Sequence, residues 1–208
     1  VDDLKRVLSN VKTRGILGEV QLGSILEQIL SPEQYDTNVI TKKGSTERVE
    51  YAVKMPGADN GFVYLPIDAK FPLDAYQKLL DAYDSRNRDF VKDAQKELKT
   101  RIKGFAKDIS TKYIDVPNTT EFAIMFLPTE GLYSEVVRMG LIEELQREKI
   151  NIAGPTTMAA LLNSLQMGFK TLAVQKKSAE VWKVLAEVKT EFAKFSDSLE
   201  KTKRIMSK

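Results

Sequence analysis

The chain has 208 residues, 42% of them hydrophobic, which is enough to bury a core and too apolar for a disordered segment. It contains no Cys and no His, which excludes disulfides, thiolate or imidazole metal sites and every His-based triad. Hydrolytic chemistry is left to carboxylates, lysines, hydroxyls and a hard, oxygen-ligated metal, while a net charge of +3 permits a polyanionic partner without demanding one.

No apolar run approaches the roughly 18–20 residues of a membrane span, so no membrane contact is expected from this stretch. The start at Val1 without Met, and the end inside a helical pattern, read as a piece of something longer. The lack of Cys and of a signal peptide suits a cytoplasmic setting, with any membrane anchor upstream of Val1.

In chain order, Leu4, Val7, Leu8 and Val11 give residues 1–13 a helical period. A second helix is expected from Arg14 to Leu30, stopped by Ser31-Pro32. Three strands follow at Thr37–Lys42, Glu47–Met55 and Phe62–Lys70, the last two separated by the turn-forming run 56–61 (PGADNG). Leu73–Lys112 is read as charged helix and Glu121–Leu127 as a buried strand closed by Pro128. Glu130–Lys149 is helical with a break at Gly140, Ile150–Ala153 is a short strand, and Pro155 opens a long final helix.

These elements predict a mixed α/β sheet flanked by helices over residues 14–177. Residues 178–208 are expected to form a coiled-coil helix. Leu185, Val188, Phe192, Phe195, Leu199, Thr202 and Met206 recur in steps of three and four, so a homo-oligomer is expected through this seam. A long amphipathic helix lying on its own domain is the plainer alternative.

The chemistry concentrates at Asp68-Ala69-Lys70. On a strand, Asp68 and Lys70 share one face, while Val63, Leu65 and Ile67 line the other. Taken alone this is also what a solvated strand face looks like. If strands 47–56 and 62–70 form a hairpin that pairs residue 56 with 62, Glu50 stands opposite Asp68, and facing carboxylates repel unless a cation separates them. Glu19 falls within or beside the stripe Ile16, Glu19, Gly23, Leu26 and Leu30 that packs on the sheet; a salt bridge to Arg14, Arg48 or Lys70 is its ordinary alternative. Glu19, Glu50, Asp68 and the backbone carbonyl of Ala69 are the expected ligands of Mg²⁺ or Mn²⁺. Lys70 is placed to position or deprotonate a water and to stabilise charge on a phosphate.

Five blocks, 14–19 (RGILGE), 49–53 (VEYAV), 67–72 (IDAKFP), 126–130 (FLPTE) and 154–158 (GPTTM), together resemble the RmuC family in order and spacing. The resemblance implies a restriction-endonuclease-like core of the PD-(D/E)xK type, a link to DNA recombination and to the limiting of DNA inversions, and an N-terminal coiled coil upstream of Val1 of which residues 1–13 are the expected end. It aligns Glu19 with the helix acid, Glu50 with the first strand acid, and Asp68 and Lys70 with the D-x-K pair. Many family members carry Pro-Asp where this chain has Val49-Glu50. DNA, branched or with inverted repeats, is then the expected partner. The activity implied is a metal-dependent DNA endonuclease, with a non-catalytic DNA-binding scaffold as the alternative.

Lys42, Lys43, Arg48 and Lys54 are the expected contacts to the DNA backbone. Lys92, Lys96, Lys99 and Lys103 form a second basic stripe or a solvated helix face. Glu130 either reaches the same cleft or simply starts its helix, and Thr156 and Thr157 either help hold a phosphate at a helix start or cap it.

Overall fold

The computed structural model describes residues 11–57 and 61–206, with side chains described except for 11–14, 176, 193 and 195–206. The helix expected over residues 1–13 lies outside the described residues as far as residue 10, as does the tip of the turn at 58–60. The described residues divide into two units between Asn163 and Ser164.

The first unit is built on a five-stranded sheet in the order β1 (Tyr35–Val39), β2 (Val49–Pro56), β3 (Phe62–Ala69), β4 (Ala123–Phe126), β5 (Ile150–Ala153). The pairs β1–β2 and β2–β3 are antiparallel, and β3–β4 and β4–β5 are parallel. Parallel neighbours need long crossovers. Helices α2 (Leu73–Ser85) and α3 (Arg88–Tyr113) supply the first, and α4 (Glu130–Arg138) and α5 (Ile142–Arg147) the second. This is the mixed, helix-flanked sheet that the sequence pattern predicts.

Helix α1 (Val11–Ile29) buries Gly18, Leu22, Leu26 and, just past its end, Leu30, a stripe with a step of four. It lies close to the sheet. A Cβ on Gly18 would come within 3.0 Å of the Pro128 ring and 3.4 Å of the Ala69 methyl. One turn further on, the Tyr51 hydroxyl donates to the Glu19 carbonyl at 3.3 Å and fills the space that a side chain on Gly23 would need. A second buried cluster joins Ala52 and Met125 of the sheet to Leu79 of α2, Leu98 and Ile102 of α3 and Leu132 of α4.

Strand β1 runs over Tyr35–Val39, not Thr37–Lys42, because residues beyond it pair elsewhere. Asn38 takes a left-handed φ of 50°, the Thr41 hydroxyl donates to the Tyr113 carbonyl at 2.8 Å, and Lys42 Nζ donates to the Thr111 carbonyl at 2.9 Å. Residues 41 and 42 are thus held by the C-terminal end of α3. The segment read as one helix from Leu73 is broken by Arg86, left-handed at φ 54°, and by the Asn87 side chain, which accepts from the N–H groups of Asp89 and Phe90. The break at Gly140 (φ 70°) falls where expected.

Helix α6 (Pro155–Met206) begins in the first unit and forms the second. In that unit Val174, Val181, Leu185, Val188 and Phe192 are all exposed. The expected seam residues Phe195, Leu199, Thr202 and Met206 lie where side chains are outside the described set. No described helix is long and apolar enough to cross a membrane.

Candidate active site at the end of strand β3

Pairing runs from Tyr51 opposite Ile67 to Pro56 opposite Phe62, the hairpin register anticipated from the sequence. The pairing ends one step short of Glu50 and Asp68, the two residues that the same register, if continued, would set opposite each other. On its other side β3 pairs in parallel with β4, Asp68 beside Met125, and the Lys70 N–H donates to the Phe126 carbonyl at 2.9 Å. That bond carries sheet geometry one residue past the strand and fixes the Lys70 backbone. Its side chain consequently falls on the Asp68 face.

The Lys70 ammonium stands 2.5 Å from Asp68 Oδ2 and 5.8 Å from the centroid of the Phe105 ring on α3. Asp68 is only 2% exposed, and apart from this ion pair its buried Oδ2 has no hydrogen-bond partner. Glu50 Oε2 accepts from the Ala69 N–H at 3.0 Å, which ties the second carboxylate to the same strand end.

Two carboxylates deprived of water in one place disfavour each other's charge. Burial, then the Asp68 charge, push the Glu50 carboxyl up to about 8; Glu19 adds to this, while the Ala69 N–H and Lys70 oppose it. Burial also raises Asp68, against the pull of Lys70 and, more weakly, of Lys112. Lys70 matches the charge of Asp68 alone, so an ionised Glu50 would add a negative charge that no second cation offsets among the described residues.

Glu19 is exposed, beside the buried stripe of α1, and lines a cleft of about 380 Å³ together with Gly15, Glu50, Ala69, Lys70 and Asp74. Ile16, placed on the packing stripe by sequence, is 49% exposed. No ion pair joins Glu19 to Arg48 or Lys70 among the described residues; Arg48 donates to the Asn38 carbonyl at 2.8 Å and Lys70 pairs with Asp68. Arg101 and Phe105 of α3 form another wall of the cleft. Neither was singled out from sequence, where the only available signal was their spacing of one helical turn.

The donor chemistry suits a hard divalent ion at Glu50 and Asp68, since the pair is short of positive charge and one buried oxygen lacks a hydrogen bond. Among the described residues no three acidic side chains are gathered tightly enough to hold an ion, so Glu19 stands at the rim of the pair.

The other candidate residues lie apart from this cleft. Lys42 and Lys43 line a separate hollow with Phe62 and Tyr64, and the Lys43 N–H donates to Asp115 at 3.0 Å. Lys54 pairs with Asp36 at 2.9 Å and lies over the Phe62 ring. Lys99 and Lys103 both pair with Glu144, whose single charge is shared between two of the four lysines of the stripe on α3. Glu130 accepts from the Thr156 N–H at 2.6 Å, so a carboxylate of the protein already occupies the start of α6. The Gly154 N–H donates to the Thr157 hydroxyl at 2.8 Å. Capping is what these three residues provide here.

The RmuC family profile matches residues 1–208. The chain belongs to the RmuC family. A relative from Xylella fastidiosa, named a DNA recombination protein RmuC homolog, is 51% identical over 208 residues, which is 98% of this chain and 46% of the relative. An RmuC homolog from Chlamydia trachomatis is 28% identical over 183 residues, 86% of this chain and 40% of its own, and one from Zymomonas mobilis is 28% identical over 204 residues, 91% and 44%. The chain thus spans about half the length of the RmuC relatives it matches. No solved structure matches it.

Proposed function

We propose that this RmuC-family chain carries the cleft of a metal-dependent DNA endonuclease acting in DNA recombination and limiting DNA inversion. The carrying observation is the Asp68–Lys70 ion pair, 2.5 Å long, beside Glu50 at the end of β3. This supports the restriction-endonuclease-like reading that the resemblance implies, in which an acid and a Lys two residues on share one strand face. Glu50 and Asp68 are the residues that would hold Mg²⁺ or Mn²⁺, with Glu19 and the Ala69 carbonyl as further oxygen donors. Such an ion supplies Lewis-acid polarisation of the phosphodiester and activation of the attacking water.

The remaining work belongs to the side chains. The Ala69 N–H orients the Glu50 carboxylate, and the sheet bond at Lys70 fixes the base of the lysine. Asp68 and the Phe105 ring hold the ammonium at the cleft, where it stabilises negative charge on a phosphate. Association of copies through α6, and a cytoplasmic setting for this portion, belong to the same proposal.

A non-catalytic DNA-binding scaffold is the second reading, favoured by the absence of a three-acid cluster among the described residues. Branched, hairpin and linear DNA incubated with and without Mn²⁺ separates the two. Cleavage that requires Mn²⁺ and drops about 10²–10³-fold in Lys70→Ala and in Asp68→Asn is the expected result. Binding with no cleavage of any substrate under any metal condition leaves the scaffold.

A further inference from the structure

The geometry points to Arg101 as the residue that grips a phosphodiester in this cleft, and to an unpaired strand as the form in which DNA enters. The DNA half of this inference rests on the proposed function; the grip itself needs no catalysis. Glu19, Glu50 and Asp74 face the cleft, and Asp68 lies beneath it. A phosphate approaching the exposed Glu19 carboxylate is repelled unless a cation receives it. The Asp68 carboxylate offsets part of the Lys70 charge. Among the described residues Arg101 is the other basic side chain lining the cleft, and it makes no ion pair or hydrogen bond with any of them. Elsewhere on α3, Lys99 and Lys103 share Glu144 and Lys112 lies 3.8 Å from Glu47, while Lys92, Lys96 and Lys107, also without ion pairs among the described residues, do not line the cleft.

Arg101 is thus an exposed cation on the cleft wall with no ion pair among the described residues. Its planar fork matches two phosphate oxygens at once, which a lysine ammonium does not. Phe105, one turn along the same helix, backs the Lys70 ammonium and carries the grip toward Asp68.

The strand form follows from the size of the recess. It measures about 380 Å³, near the lower end of pockets that hold one small ligand. A duplex is too wide to enter such a space and offers it only a phosphate at the rim. One nucleotide lifted out of a stack, or part of a single strand, fits inside.

Fluorescence anisotropy with a labelled single-stranded oligodeoxynucleotide and a blunt duplex of the same sequence, both in EDTA, tests this without any cleavage. Arg101→Ala is expected to weaken single-strand binding about tenfold. It should also reduce the salt slope by about 0.7, the share of one single-strand phosphate contact. Arg101→Lys is expected to recover the slope but only part of the affinity. Lys99→Ala, which removes the same charge from the same helix, should change neither. Unchanged affinity and slope in Arg101→Ala, or undetectable single-strand binding by the wild type, overturns the inference. An equal loss on the blunt duplex overturns its single-strand half. Mn²⁺-dependent cleavage beside an Arg101→Ala variant that binds normally sinks this inference alone. A sensitive Arg101 in a protein that never cleaves sinks only the nuclease.

Discussion

Glu50 holds its proton up to about pH 8 because burial and the neighbouring Asp68 charge both oppose its ionisation, whereas the unfolded chain releases it near the ordinary 4.5. Between those values the folded state binds the extra proton. The stabilisation this gives is therefore complete below about 4.5 and is lost as pH rises through 8. Asp68, also raised, contributes in the same direction. Glu50→Gln keeps an oxygen to accept the Ala69 N–H and carries no charge at any pH. At pH 8.5 this variant is expected to be more stable than the wild type by about 1–3 kcal/mol, the scale of a buried polar group poorly compensated. Between pH 5 and 8 its stability should decline less steeply. Urea unfolding across that range measures both, and matching slopes in the two proteins would remove the claim that Glu50 titrates abnormally. A protein that keeps so costly a carboxyl pair gains most from a cation at that point, which is why the same residue bears on stability and on the proposed chemistry.

Gly18 of α1 and Gly104 of α3 have opposite consequences for substitution. Gly18 lies against the Pro128 ring and the Ala69 methyl, so Gly18→Val must push α1 off the strand that carries Asp68. Gly104 of α3 has nothing within 4 Å of the position of a Cβ, so Gly104→Ala only removes a poor helix former. The first change is expected to cost about 1–3 kcal/mol and the second to gain about 0.5–1 kcal/mol. Thermal unfolding of the two single variants checks the pair, and a stabilised Gly18→Val would mean that α1 does not rest on β3 as described. Legibility in the sequence divides along similar lines. The β2–β3 register was readable because a run of Pro, Gly, Asp and Asn marks the turn and strand alternation does the rest. The Asp68–Lys70 pairing followed from the same alternation. The early end of β1 was not readable, because Thr41 and Lys42 are captured by carbonyls at the end of α3, far along the chain. The break at Arg86–Asn87 was hidden by helical patterning on both sides, although an Asn cap was there to be noticed. Arg101 and Phe105 reach the cleft through the phase of a packed helix, and that phase is set by Leu98 and Ile102 docking on the sheet. Charge counting along α3 pointed instead to a lysine stripe, two of whose members share the Glu144 carboxylate.

At the scale of the whole molecule, the second unit leaves a line of apolar side chains in water. Val174 and Val181 are seven residues apart, and Val181, Leu185, Val188 and Phe192 continue in steps of four, three and four. All five are between 45% and 70% exposed. A helix that shows such a stripe to solvent gains by covering it, and the three-four repeat is the spacing at which two copies interlock. The sequence seam, drawn from Leu185 onward, therefore extends back by about one and a half heptads. Self-association of the chain along α6 is the expected outcome. Sedimentation velocity over a range of concentrations should show a mass that rises above that of one chain for the wild type. Leu185→Asp combined with Phe192→Asp should stay at one chain throughout, because a charge at each of two inward positions faces its own counterpart across the seam. Trp182→Asp is the sharper control. It removes a larger and more exposed apolar surface, 72% open, that falls one residue off the repeat, so it should leave association intact. Dissociation by Trp182→Asp, with no effect of the Leu185 and Phe192 changes, would mean that the stripe is not the interface and that any association uses another face of the helix.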